Sequence, residues 1–242
     1  MGKAERYRNI DMLGYKIFAS DMNSCLEKVF SMKKVHIVSG NPEVLYVGLN
    51  NKELFKNFIS DKSVIIPDGV GVQISAKILK TPVKEKIAGI EVMKAIIEKC
   101  EKEGKGIYLL GAEEEILKLC KENIKKTFPN IKIVGSHNGF FDLNNCNDII
   151  EDIKKSNPWG LFIAMGCPRQ ENFIVNYIDE LNCNFYMPVG GSFDVFAGKV
   201  NRAPKWMLSL GLEWLYRVLK EPWRIKRLGV IPKFLLRVLK NN

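Results

Sequence analysis

Six short runs rich in Val, Ile, Leu and aromatic residues, each leading through a tight connection into a longer stretch of helical spacing, constrain this fold more than any other feature. The runs are Val35–Val38, the one ending at Ile66, Gly106–Leu110, Ile131–Ser136, Leu161–Met165 and Phe185–Pro188. The segment from Gly106 to Phe128 is the clearest unit. Its apolar run ends at Gly111-Ala112, and the next stretch opens on Glu113, Glu114 and Glu115, where acids suit the positive end of a helix dipole. Strands that alternate with helices predict an α/β fold, a largely parallel sheet covered by helices on both faces. There is no sustained repeat and no low-complexity segment.

A chain of 242 residues with 46% apolar side chains can bury one large core. Six scattered cysteines without a CxxC pair predict reduced, mostly buried thiols, and two histidines leave no histidine-rich metal site. The N-terminal stretch is too charged for a signal peptide, and no run of about 18 apolar residues occurs that could span a bilayer. The expectation is a soluble or surface-bound intracellular protein. Its net charge is +10 and unevenly placed: residues 199–242 carry eleven Lys and Arg against Glu213 and Glu221, a net +9, leaving +1 for the other 198 residues. Whatever the basic surface binds, the tail binds it.

Composition also changes near Gly198. The tail holds three of the four tryptophans, Trp206, Trp214 and Trp223. Pro204 fits a helix start, Pro222 a break and Pro232 a second start. Leu208, Leu212, Leu215 and Leu219 are expected on one helical face. A basic, amphipathic, Trp-bearing segment suits an anionic membrane surface, and a terminal helix packed on the core is the plainer reading. Residues 1–198 are thus expected to form a core and residues 199–242 a membrane-associating appendage.

Ligands in parallel sheets bind outside the carboxyl ends of the strands. Five connections there carry unusual residues: Ser39-Gly40-Asn41, Asp68-Gly69, Gly111-Ala112, Met165–Glu171 (MGCPRQE) and Pro188–Gly198 (PVGGSFDVFAG). Each alone reads as a tight turn. Together they bring Ser, Asn, Asp, Arg, Gln and Glu to one end of the sheet, more than turns require. Asp68 is the candidate base. Gly111 and Ala112, ahead of a helix, offer backbone N–H groups to a phosphate. Gly166, Arg169, Gln170, Glu171, Gly190 and Gly191 are further candidate substrate-binding residues. The chain lacks a GxGxxG fingerprint, which weakens a nucleotide-dependent oxidoreductase, and it has no Walker loop and no GxSxG.

Taken together, PDGVGV around Asp68, GCPRQE (Gly166–Glu171), VGGSFDVFAGKVNRAPKWM (Val189–Met207) and GLEWLYRVLKEPWRIKR (Gly211–Arg227) resemble the WecG/TagA/CpsF family of glycosyltransferases. The likeness runs from about Asp11 to Arg227. It implies a Rossmann-like core and an inverting, metal-independent transfer of a sugar from a UDP-sugar donor, typically UDP-N-acetylmannosamine. The implied acceptor is N-acetylglucosamine carried on undecaprenyl diphosphate, for wall teichoic acid or a related surface polysaccharide. Another UDP-sugar, carrying N-acetylmannosaminuronate, glucose or glucuronate, is the alternative donor. No cofactor and no metal is implied.

On that pattern Asp68 is the catalytic base, Ser39 stands where Thr is usual, Asn41 matches a nearby Asn, and Gln170 lies in the active-site motif. Arg217, Arg224 and Arg227 match appendage arginines implicated in catalysis and diphosphate recognition. Lys86 and Glu91 stand where Arg and Asp are frequent. Asp-x-Asp, which holds a divalent cation in many such enzymes, is missing, so arginines and helix ends are expected to neutralise the leaving diphosphate. The expected place of action is the inner face of the bacterial membrane, as a peripheral cytoplasmic protein, with a homo-oligomer allowed. A non-enzymatic basic membrane-surface binder would leave Asp68 and the Gly166–Glu171 loop without a role. Nucleic acid is not an expected partner.

Overall fold

The computed structural model describes residues 7–209, 211–222 and 228–241. Among these residues are eight strands: β1 (Asn9–Met12), β2 (Tyr15–Phe18), β3 (Val35–Ser39), β4 (Ser63–Ile66), β5 (Gly106–Gly111), β6 (Lys132–His137), β7 (Gly160–Ala164) and β8 (Phe185–Pro188). They form one sheet in the order β1-β2-β4-β3-β8-β7-β5-β6, parallel throughout except for β1. All six expected strands are present, within one residue or so at each end.

Alternation along the strands shows why they read as continuous apolar runs. In β5, Ile107 and Leu109 join the core on one face, while Tyr108 and Leu110 join the core on the other. Strand β4 divides the same way, Val64 and Ile66 against Ile65. With both faces buried, neither position can be polar. Helices α1 (Met22–Ser31), α5 (Gly89–Lys102) and α6 (Glu114–Thr127) cover the first face; α5 buries Val92, Met93, Ile96, Ile97 and Cys100 at helical spacing. The opposite face takes α2 (Pro42–Leu49), α3 (Lys52–Phe58), α4 (Val70–Ile78), α7 (Asn147–Ser156) and α8 (Arg169–Tyr177). All six cysteines are free thiols, and only Cys167 is not fully buried.

The β1–β2 hairpin was not expected. Met12 pairs with Tyr15 across Leu13-Gly14, whose φ angles of 54° and 82° are those of a type I′ turn. Leucine is unusual at the first position, so the sequence lacks the Asn-Gly that marks such turns.

The tail differs from the expected single leucine face. A helix over Lys205–Ser209 is separated by Gly211, at φ +72°, from a second over Glu213–Lys220. Leu208 and Leu212 therefore do not continue the row of Leu215 and Leu219. The second helix buries Glu213 and leaves Leu219 70% exposed. Pro222 follows its end, as expected. The final helix, Val230–Lys240, begins two residues before Pro232, which sits in a first turn where its missing N–H is no loss. Phe234 and Val238 of this helix are fully buried with Val44, Leu45, Val72 and Ala76, so one of its faces belongs to the core. Leu236 and Leu239 are exposed. No helix among the described residues is long and apolar enough to cross a membrane.

Candidate active site

Connections after β3, β4, β5, β7 and β8 open into one crevice of about 1130 Å³ at the carboxyl end of the sheet. The Glu213–Lys220 helix forms a wall of it through Glu213, Trp214 and Arg217. The five-loop expectation holds, and the tail reaches the same space.

Asp68 lies half-buried in this crevice, immediately past the end of β4. The glycines after it have backbone reasons. Gly69 has φ +90°, which side chains resist, and a Cβ on Gly71 would stand 2.3 Å from Cγ of Pro42 where α4 approaches α2. Ser39 Oγ donates to Asp68 Oδ2 at 2.9 Å, and Asn41 Nδ2 donates to Ser39 Oγ at 2.9 Å. Asn41 is also the N-cap of α2, its Oδ1 accepting from the Val44 N–H at 3.0 Å. The cap fixes which way the amide points. Its NH₂ then occupies the Ser39 oxygen, and the single hydroxyl proton of Ser39 is directed to Asp68.

Charges gather around this carboxyl. Glu213 is buried, with Lys86 Nζ 3.5 Å from Oε2 and Arg217 NH2 2.7 Å from Oε1. Burial pushes the Asp68 carboxyl above the ordinary carboxylate range. Lys86, the Ser39 hydroxyl and Arg217 pull it back in part, and Glu213 pushes it further up. For Glu213 itself burial acts upward, and Arg217 with Lys86 outweigh it to hold that carboxyl low. Asp68 is thus a carboxylate of raised basicity beside an anion neutralised by two cations.

The pH dependence follows with its sign. On the expectation that Asp68 is the base, it accepts a proton only when ionised, so activity should rise with pH through a value above the ordinary carboxylate range. Glu213→Gln removes a charge that raises Asp68 and leaves Lys86 and Arg217 free to lower it. The acid limb of the pH–kcat profile should therefore move to lower pH, and an unmoved limb would disprove the coupling.

Of the remaining candidates, Ala112, Arg169 and Gln170 line the crevice, whereas Gly111 and Glu171 do not. Gly111 lies at the strand end and does not line the crevice; a Cβ there would stand 2.4 Å from the Ala164 carbonyl. Ala112 does line it, but its N–H donates to Ala164 O at 2.8 Å and is not available to a phosphate. Arg169 directs its guanidinium to the carbonyls of Gly139 and Phe141 and stands over the Phe141 ring at 5.1 Å, holding a loop. Gln170 is nearly buried, its Oε1 accepting from Gly190 N at 3.2 Å and its Nε2 donating to Glu171 Oε1 at 2.9 Å. Glu171 lies wholly beneath the surface and away from the crevice lining, and burial raises its pKa. Gly166, Gly190 and Gly191 line the crevice as expected. Arg224 and Arg227 lie outside the described residues.

Glu213 is a crevice residue that sequence reasoning passed over, because it counted only as one of two acids in a basic tail. Glu91, in the first turn of α5, pairs with Arg202 of the tail. No group of three His, Cys, Asp or Glu among the described residues is placed to hold a metal ion.

The sequence pattern of the Glycosyl transferase WecG/TagA/CpsF family matches residues 10–242. A Bacillus subtilis (strain 168) protein is 37% identical over 219 residues, covering 90% of this chain and 84% of the relative. A Bacillus spizizenii protein is 34% identical over 210 residues, covering 87% and 80%. A Staphylococcus aureus (strain MW2) protein is 32% identical over 237 residues, covering 96% and 92%. All three are named N-acetylglucosaminyldiphosphoundecaprenol N-acetyl-beta-D-mannosaminyltransferase. With the match spanning core and tail alike, the chain belongs to the WecG/TagA/CpsF family of glycosyl transferases.

Proposed function

We propose that this protein transfers N-acetylmannosamine from UDP-N-acetylmannosamine to N-acetylglucosamine on undecaprenyl diphosphate, with inversion and without a metal ion, as in assembly of a wall teichoic acid linkage unit. The names of the relatives supply the transferred sugar and the lipid-linked acceptor, and the UDP carrier follows from the family resemblance. The observation that carries the chemistry is Asp68, oriented by Ser39 and raised in basicity within a crevice large enough for both.

In this scheme Asp68 takes the proton of the acceptor hydroxyl as that oxygen attacks the anomeric carbon from the side opposite the departing UDP. Lys86 and Arg217 stabilise the negative charge that develops on the diphosphate, and we assign Arg224 and Arg227 to the same task from the family pattern. Helices α4 and α5 begin at Gly69 and Ala88 without a side-chain cap, and both starts line the crevice near Asp68. Their positive ends suit a diphosphate.

The exposed Trp206, Leu219, Leu236 and Leu239 lie among the basic residues of the tail, an arrangement that supports peripheral binding to an anionic bilayer, where the lipid-borne acceptor resides. We place the protein at the cytoplasmic membrane face on that basis, and treat residues 199–242 as an appendage that completes the site.

Incubation with UDP-N-acetylmannosamine and a short-chain diphosphate-linked N-acetylglucosamine should add one N-acetylhexosamine to the acceptor by mass spectrometry. The reaction should proceed in EDTA. No product under any condition would refute the assignment, and an absolute Mg²⁺ or Mn²⁺ requirement would refute the metal-free scheme.

A further inference from the structure

Glu171 is fully buried in the first turn of α8, and its Oε2 has no hydrogen-bond partner among the described residues. An acid at this position of a helix ordinarily stays in water, where it gains from the helix dipole and keeps its hydration. Here burial dominates and raises the pKa of the carboxyl. The groups that act most on it besides are the Gln170 amide, its own N–H, the Cys167 thiol and Glu43, and none of them is a cation. A buried acid with one oxygen unpaired costs stability, and an apolar side chain of similar length would sit there at less cost. Packing alone gives no reason for an acid at this place.

What the carboxyl reaches is Gln170. Its Oε1 accepts from Gln170 Nε2 at 2.9 Å, and Gln170 Oε1 in turn accepts from the Gly190 N–H at 3.2 Å. The two ends of a side-chain amide are nearly alike in shape and are told apart by their partners. Turned over, the Gln170 amide would set its NH₂ against the Gly190 N–H and its oxygen against the Glu171 oxygen. One orientation satisfies both neighbours, and it holds Gly190 where the backbone turns at φ +47°. Gln170, Gly190 and Gly191 line the crevice, whereas Glu171 does not. A line of contacts thus runs from an interior acid to a loop of the site. Nε2 also carries a second N–H beyond the one given to Glu171.

We propose that Glu171 is a positioning residue of the active site, which from beneath the crevice sets the Gln170 amide so that its oxygen holds the Gly190 loop and its remaining N–H serves the substrates. The effect on catalysis rests on the transfer reading above; the geometry rests on the hydrogen bonds alone. Glu171 touches neither substrate and weakens the fold it belongs to, a conflict between stability and activity that is common at functional sites. A neutral carboxylic acid and a carboxamide each offer Gln170 Nε2 one carbonyl oxygen. Glutamine can therefore stand in for Glu171, and methionine cannot.

Two substitutions in the full chain test this. Glu171→Met should unfold at a temperature equal to or above that of the wild type. It should nonetheless lower transfer by about tenfold to a hundredfold and speed hydrogen exchange of the Gly190 amide by about tenfold. Glu171→Gln should keep both transfer and Gly190 exchange close to the wild type. A residue that only held the fold together would lose stability and transfer in step. Glu171→Met with either transfer or exchange unchanged overturns the proposal. So does Glu171→Met that unfolds earlier than the wild type, or Glu171→Gln that behaves as Glu171→Met does. The exchange measurement needs no substrate. A wild type that transfers no sugar would overturn the donor and acceptor assignment, and Gly190 exchange would still decide the role of Glu171.

Discussion

Replacing Asp68 by Asn should lower transfer by about 10²–10⁴-fold while UDP affinity stays close to that of the wild type. The substitution is nearly isosteric. It also keeps an oxygen that can accept from Ser39 Oγ, which now lies 2.9 Å from Asp68 Oδ2, so the local structure should survive. What is lost is the ability to take a proton, together with a negative charge beside Lys86, Glu213 and Arg217. Loss of that charge should if anything favour the donor diphosphate, so binding and turnover move apart. The checks are single-turnover transfer to the diphosphate-linked acceptor and calorimetric titration with UDP. Turnover near the wild-type level would remove Asp68 from the role of base.

Deletion of residues 199–242 should abolish transfer and destabilise the remainder. If residues 199–242 were only the appendage expected from the sequence, residues 1–198 would stay folded after such a cut. The structure gives the second helix of the tail, with Glu213 and Arg217, to the wall of the crevice, and the last helix to the core. Cutting at Gly198 removes Phe234 and Val238, both without solvent exposure, and uncovers the apolar surface of α2 and α4 beneath them. It also removes the bond from Arg237 NH2 to Asn50 Oδ1 at 3.1 Å and the stacking of Arg237 on Tyr46 at 4.9 Å. The truncated chain should therefore self-associate and unfold at lower temperature. Phe234→Ala in the full chain separates the two losses. It should cost about 3–5 kcal/mol of stability and retain transfer below its unfolding temperature. A truncated protein that stays monomeric with full stability would show that the last helix is dispensable to the core, and one that transfers sugar would remove the tail from the site.

How much of this was legible depended on whether the signal was local. The parallel sheet was, because strands buried on both faces leave uninterrupted apolar runs such as Ile107–Leu110, each followed by a turn and a helix. The crevice was, because the rule that ligands sit at strand carboxyl ends collects Ser39, Asp68, Gly166 and Gly190 without knowledge of strand order. Where a side chain points was not. Arg169, Gln170 and Glu171 are consecutive at the start of one helix, yet they reach a loop carbonyl, a glycine N–H and the interior, and only Gln170 connects the latter two. The Ala112 N–H is taken by a neighbouring strand that lies 52 residues later. Glu213 shows in sequence only its i, i+4 pairing with Arg217, since the other groups that give it meaning, Lys86 and Asp68, come from distant parts of the chain. Leu219 misleads in the opposite direction, because a leucine repeat reads as core until Gly211 interrupts it.

The Asn41 cap has a consequence for how this site can vary. Aspartate begins helices about as well as asparagine, so Asn41→Asp would leave α2 intact. It would also replace the one N–H donor that the Ser39 oxygen now accepts with a second acceptor, and the hydroxyl would be free to rotate toward residue 41 and away from Asp68. The same backbone could then carry an acid that nothing steadies. In this protein the polarity of a proton's resting place is decided by an amide whose first duty is to start a helix.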